Sequence, residues 1–198
     1  MTKGRTVREQ ILHAAQEALR DGGGDALRLH DIADRAGIAR PHLYRYFDSK
    51  ADLLREAVLA EIRRIHDQRR RALKRVRTGE ELIVESLVLG AHQARAAHSV
   101  IAIAGPEMKG VGQLVAHDTD LVAVEAEYWT PVIAQARREC VIDPVLDDYR
   151  IIKWFLTSQF LVVTQPDLVG PDLREWVERF IVPPIRMKFD VDPRPHAP

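Results

Sequence analysis

Arg40, Pro41, His42, Tyr44, Arg45, Tyr46 and Lys50 crowd into eleven consecutive positions and carry the chemistry most suited to gripping a polyanion. Arginine can pair bidentately with O6 and N7 of guanine, and the first residues of a reading helix face base edges. Arg40 and His42 are therefore the candidates for base reading, with Pro41 near a thymine methyl. Tyr44, Tyr46 and Lys50 have polar tips suited to phosphate oxygens. Lys50 also stands close to the start of a long helix, whose free N–H groups favour an anion nearby. Arg45 could serve either role. The competing role for Tyr44 is packing against the first helix, and for His42 it is that of a bystander.

Such side chains need a stiff carrier, and the flanking pattern supplies one. Residues 30–36 have a short helix's spacing, with Ile32, Ala33 and Ala36 on one face. Gly37 falls where a left-handed residue ends a helix. A three-residue turn leads to a second short helix at Arg40-Pro41, where proline costs no hydrogen bond because a first-turn N–H has no partner to lose. Leu43 and Phe47, four apart, share the buried face. This is a helix-turn-helix, whose second helix can enter a DNA major groove. Upstream, Thr6-Val7-Arg8-Glu9 reads as a capping box, and Ile11, Leu12, Ala15, Ala18 and Leu19 form an apolar stripe ending at Asp21-Gly22-Gly23-Gly24. Downstream, Ser49 to Asp52 reads as the cap of a long helix over 51–76. Its inner side is Leu53, Leu54, Ala57, Val58, Ile62 and Ile65.

The run IADRAGIARPHLYRYFDSKADLL, residues 32–54, resembles the N-terminal signature of the TetR family of bacterial one-component transcriptional regulators. The shared frame is I-A, A-G-I, L-Y-x-Y-F, S-K and L-L, in order and with spacing kept. The resemblance implies phosphate contacts for Tyr44 and Lys50. Two positions depart from it. Arg28 stands where a Ser or Thr usually caps the first helix of the motif and binds phosphate, so charge replaces the cap there. Ala39 stands where a capping serine is common. Each lost cap is typically worth about 1 kcal/mol, so the reading helix is expected to be weakly capped.

The fold class expected is all-α: an N-terminal three-helix helix-turn-helix domain, joined by a long helix to a helical ligand-binding and dimerisation domain. The boundaries read as 1–50 for the DNA-binding domain, 51–189 for the effector-binding and dimerisation domain, and 190–198 for a disordered, Pro-rich tail. Helices are expected over 80–98, 118–140 with a kink or break at Pro131, 146–165, and 172–182. Gly105-Pro106, Gly110 and Gly112 break up 99–116. Of 198 residues, 46% are hydrophobic and 29% charged, ordinary globular values. The net charge is zero, but residues 1–77 hold 18 Lys+Arg against 11 Asp+Glu, and residues 78–198 the reverse. A basic front and an acidic back suit a polyanion-binding module carried by a domain with another task. The 63–77 run, with His66, Arg70, Lys74 and Arg77 at helical spacing, reads partly as a solvated face. Cys140 alone allows no internal disulfide, the start has no signal peptide, and the most apolar run, 155–163, is too short to cross a bilayer. A soluble cytoplasmic protein is expected.

A helix-turn-helix reads few base pairs, so a homodimer on palindromic double-stranded DNA is expected, with half-sites about 34–36 Å apart or a multiple of it. Trp154, Leu161, Val162, Trp176 and Phe180 are the candidate dimer interface, two helices per subunit making a four-helix bundle. The competing role for these helices is monomer core. The resemblance implies a small-molecule effector pocket inside the helical domain, for which His92, Met108, Tyr128, Trp129, Phe155 and Gln159 are candidate lining, each with plain core as the alternative. Repression relieved by a small, largely apolar ligand is the commoner mode that the resemblance implies. No G-x-S-x-G, H-E-x-x-H or glycine-rich phosphate loop supports an enzyme, and neither a cofactor nor a metal is expected. The alternatives are a metal-responsive regulator using His92, His98, His117 and Cys140, and a dimeric DNA-binding protein with no effector.

Overall fold

The computed structural model describes residues 6–22, 28–96, 119–165 and 167–187. Met108, the 99–116 region and the 190–198 tail lie outside them. Among the described residues the chain is all-helical apart from one isolated antiparallel bridge, Ile142 to Arg186. The helices are α1 Val7–Gly22, α2 Leu29–Arg35, α3 Arg40–Leu43, α4 Lys50–Ala72, α5 Gly79–Ala96, α6 Thr119–Arg138, α7 Asp148–Val163 and α8 Gly170–Trp176. A wider turn, Val177–Ile181, and a 3-10 turn, Pro183–Ile185, follow α8.

Helix α1 starts on its capping box. Glu9 N–H donates to Thr6 Oγ1 at 3.3 Å, and Thr6 N–H to Glu9 Oε2 at 2.7 Å. Helix α4 starts on Ser49, whose Oγ accepts from Asp52 N–H at 3.0 Å. It ends at Ala72, short of the expected Val76, because a turn over Leu73 to Val76 takes up the last residues.

Three apolar clusters organise the chain. The first gathers Ile11, Ala15 and Leu19 of α1, Ile32 and Ala33 of α2, and Leu43 and Phe47, on Leu53, Ala57 and Val58 of α4. The largest joins α5, α6, α7 and α8 around Leu87, Trp129, Ile133, Phe155 and Leu173. Between them Leu59 of α4 meets Leu121, Val124 and Leu156. Helix α4 serves all three because residues four apart drift about 40° around a 3.6-residue helix. Leu53-Ala57-Glu61-Ile65-Arg69, every one buried, thus turns from α1 towards α5 and α6.

Of the kink or break expected near Thr130, the break does not occur: α6 runs unbroken from Thr119 to Arg138. Proline has no N–H to give the carbonyl four residues back, which leaves Glu127 O unbonded within its own helix. Arg70 Nη2 of α4 donates to that oxygen at 2.9 Å, so a neighbouring helix supplies what the proline removes. The final helix also differs from expectation. It begins at Gly170, two residues earlier than expected, and from Val177 to Ile181 it continues as a wider π turn, closed by Val182 N–H on Val177 O at 3.0 Å, that ends at the prolines as expected.

Candidate functional site

Helix α2 ends in a two-bond cap. Ile38 N–H donates to Ala33 O at 3.0 Å and Gly37 N–H to Asp34 O at 3.1 Å, with Gly37 at φ 66°. This turn aims α3. Leu43 and Phe47 are buried, and Arg40, Pro41, His42, Tyr44, Arg45 and Tyr46 around them are all exposed, Tyr44 at 52%. Arg28 and Lys50 are exposed as well. Neither Arg28 nor Ala39 makes a side-chain cap, so α2 and α3 start without one.

Part of the basic front is paired off with carboxylates. Arg8 pairs with Glu56, Arg20 and Arg64 with Glu61, Arg35 with Asp21, Arg55 with Asp120, Arg63 with Glu127 and Arg70 with Asp67. Among the described residues, no carboxylate lies within ion-pair distance of Arg28, Arg40, Arg45 or Lys50. Unneutralised cations beside exposed tyrosines are what a phosphate backbone requires.

A second constellation lies buried where α4, α5, α6 and α7 meet. Glu125 of α6 accepts from Trp129 Nε1 at 3.0 Å and faces His66 Nε2 at 3.4 Å. His66 stacks on Tyr128, ring centroids 4.8 Å apart, and Tyr128 Oη bonds Ser86 Oγ at 2.8 Å. Arg69, 3% exposed, holds its guanidinium 4.8 Å from the Tyr128 ring and donates Nε–H to Gln93 Oε1 at 3.3 Å. Burial lowers the Arg69 pKa, with Tyr128 and Glu125 opposing it. Burial also raises that of Tyr128. Burial would raise Glu125 too, but His66, Arg69 and Trp129 together outweigh it and hold the carboxyl below its ordinary value. Arg69 Nη1 and Gln159 Nε2 are buried with no acceptor.

Residues 11–57 match the family model described as bacterial regulatory proteins, tetR family. Over these residues the chain is similar to the N-terminal domain of the TetR family. The transcriptional activator FasR of Mycolicibacterium smegmatis is 48% identical over 46 residues, 23% of this chain and 21% of that protein. The transcriptional repressor KstR of Mycobacterium tuberculosis is 43% identical over 61 residues, 31% of this chain and 28% of that one. The matched segment thus spans about a fifth to a quarter of these relatives' length. Beyond it the likeness is one of fold. The regulator FadR from Bacillus subtilis, solved with stearoyl-CoA, superposes with a TM-score of 0.62 at 19% identity, over 89% of this chain and 98% of that one.

In the helical domain the structure brings together Tyr128, Trp129 and Phe155, all fully buried, with Trp129 and Phe155 ring centroids 4.4 Å apart. Gln159 is half-buried beside them on α7. His92 is a correction: its position on α5 is exposed, outside this cluster. Val162 is another, because it is 2% exposed and spent in the chain's own core. Trp154, Leu161 and Phe180 remain large, apolar and exposed, and Trp176 packs 6.0 Å from Phe180. His66 is a third correction, buried rather than on a solvated face.

Sequence reading missed Arg69, Glu125, Ser86 and Glu61. Their signal was positional: Glu61 and Arg69 fall on the four-residue stripe of α4, and Glu125 stands one turn before Trp129. Among the described residues no three His, Cys, Asp or Glu side chains group as metal ligands, and no helix is long and apolar enough to cross a membrane.

Proposed function

We propose that this chain is a sequence-specific, DNA-binding transcriptional regulator. It binds a palindromic operator as a homodimer, acts as a repressor in the cytoplasm, and is released by a small, largely apolar ligand. The observation that carries this reading is the set Arg28, Arg40, Arg45 and Lys50, without carboxylate partners among the described residues, with exposed Tyr44 and Tyr46, on a helix-turn-helix. Residues 1–50 form the DNA module, with the first turns of α4 completing its core, and residues 51–189 take the effector and the partner copy. Arg40 and His42 read bases, Pro41 meets a thymine methyl, and Arg28, Tyr44, Tyr46 and Lys50 hold phosphates. Tyr128, Trp129, Phe155 and Gln159 line the effector site. Ligand binding lowers operator affinity by its differential affinity for the two dimer conformations.

Selection of duplexes from a random pool tests the reading. Wild type is expected to enrich a palindrome. Arg40→Ala should relax one position in each half-site, and Tyr44→Ala should weaken all sequences alike. No enrichment by folded wild type at low salt would overturn the base-reading assignment. A reporter fused to the recovered operator reads the sign, with higher output on deletion of the regulator expected for a repressor.

A further inference from the structure

Helix α5 leaves out a side chain where two polar tips arrive. A Cβ on Gly90 would lie 2.6 Å from Arg69 Nη2 and 2.9 Å from Gln159 Nε2, so both donors close on one point of the helix. Gln159 Nε2 and the other terminal nitrogen of Arg69, Nη1, have no acceptor. Around them Arg70 is already paired with Asp67. The Arg69 and Arg70 guanidiniums lie 4.8 and 5.3 Å from the Tyr128 ring, and His66 stacks on it. One buried carboxylate, Glu125, faces them, and its two oxygens are taken by His66 and Trp129. A buried cation is ordinarily paired, and Arg69 has no carboxylate within ion-pair distance among the described residues. Gln93, which accepts from Arg69 Nε, also lines a cavity of about 290 Å³ between α1, α4 and α5, with Ile65 and Gln68 among its other walls. The far wall of the cluster is apolar, with Trp129 and Phe155.

We infer that Arg69 and Gln159, seated against Gly90, anchor the carboxylate of an otherwise apolar effector. The inference rests on the effector-released reading and names the ligand class for it. A planar monoanion matches a guanidinium edge plus one amide donor, and Arg69 Nη1 and Gln159 Nε2 are the buried donors left without an acceptor. Both orphan atoms are closed off from solvent, so the ligand must part the helices to reach them. A head group that satisfies donors left unpaired in the closed form favours the parted form by that difference.

Calorimetry on the full chain, with straight-chain carboxylates from acetate to octanoate against alcohols of equal length, tests this. In wild type the carboxylates should bind at least tenfold tighter than their alcohols. Gly90→Ala displaces only the flexible ends of Arg69 and Gln159, and Gln159→Leu keeps the volume. Both should keep the helical circular dichroism and the unfolding midpoint, and both should shrink the preference to under threefold. Absence of carboxylate binding, equal binding of the alcohols, or an undiminished preference in both variants would overturn the site. Operator anisotropy run in parallel separates the two readings. Carboxylate binding without DNA release leaves the anion site standing and sinks effector control, whereas release by neutral ligands alone does the reverse.

Discussion

Glu125 shows how much one side chain can be asked to do inside a helical core. Burial opposes its charge, yet Trp129, His66 and Arg69 keep it ionised below the ordinary carboxyl value of 4.5. A carboxyl whose folded pKa is depressed contributes stability that is fully present above the unfolded value and lost as pH falls through the folded one. The chain should therefore lose stability on acidification below about pH 4.5, with Glu125 one source of the loss. Glu125→Gln keeps the shape and an acceptor for Trp129 Nε1 but removes the charge facing His66 and Arg69. It should cost about 1–3 kcal/mol at pH 7 and flatten the acid limb. Urea midpoints from pH 7 to pH 3 check this, and an unchanged slope in the variant would contradict the role assigned to Glu125. This residue was not legible in advance. A lone glutamate on an amphipathic helix reads as solvent-facing until the partners on α4 are known, and His66 and Arg69 were hidden in a basic run.

At the scale of elements, two helices end in the same two-bond cap with different residues at its left-handed position. In α2 it is Gly37, φ 66°. In α6 it is Cys140, φ 56°, where Val141 N–H donates to Ala136 O at 2.9 Å and Cys140 N–H to Arg137 O at 3.0 Å. A Cβ disfavours that conformation by roughly 1–2 kcal/mol. Gly37→Ala should accordingly lower stability by about 1 kcal/mol, with nothing within 4 Å to add a clash. Cys140→Gly should raise it by up to about 1 kcal/mol, the gain reduced by glycine's freedom in the unfolded chain. Thermal unfolding of the pair checks both signs, and a loss of stability in Cys140→Gly would refute the strain assigned to that cap. Elements of this kind were the readable part of the molecule. The capping box at Thr6, the glycine at 37 and the Ser49 cap are local hydrogen-bond patterns, written within a few residues. The Pro131 break was misjudged for the opposite reason, because the group that rescues Glu127 O comes from Arg70, 57 positions away.

For the whole molecule, the question is what the outer stripe of α7 meets. Arg150, Trp154, Thr157 and Leu161 recur at intervals of four, three and four, all exposed, while Ile151, Ile152, Phe155, Leu156 and Val162 turn inward. Trp154 is held in place by its Nε1 donating to Ile181 O at 2.8 Å, which presents the ring's remaining edge outward beside the turn that carries Phe180. Leu161 also lines a groove of about 440 Å³ with Leu168 and Trp176. Trp154, Leu161 and Phe180 are large apolar side chains exposed on one side, and a two-fold axis would let the same stripe cover itself. Two copies would then carry two reading helices at a fixed separation, which one copy cannot do on a palindrome. Trp154→Glu with Leu161→Glu places four like charges at such an axis. The double variant should sediment as a monomer with its helical circular dichroism retained, and its operator affinity should fall at least a hundredfold. A half-site duplex should lose much less, because the helix-turn-helix surface is untouched. Sedimentation of a dimer by the variant would place the interface on another face, and a monomeric variant with undiminished palindrome affinity would remove the need for a dimer altogether.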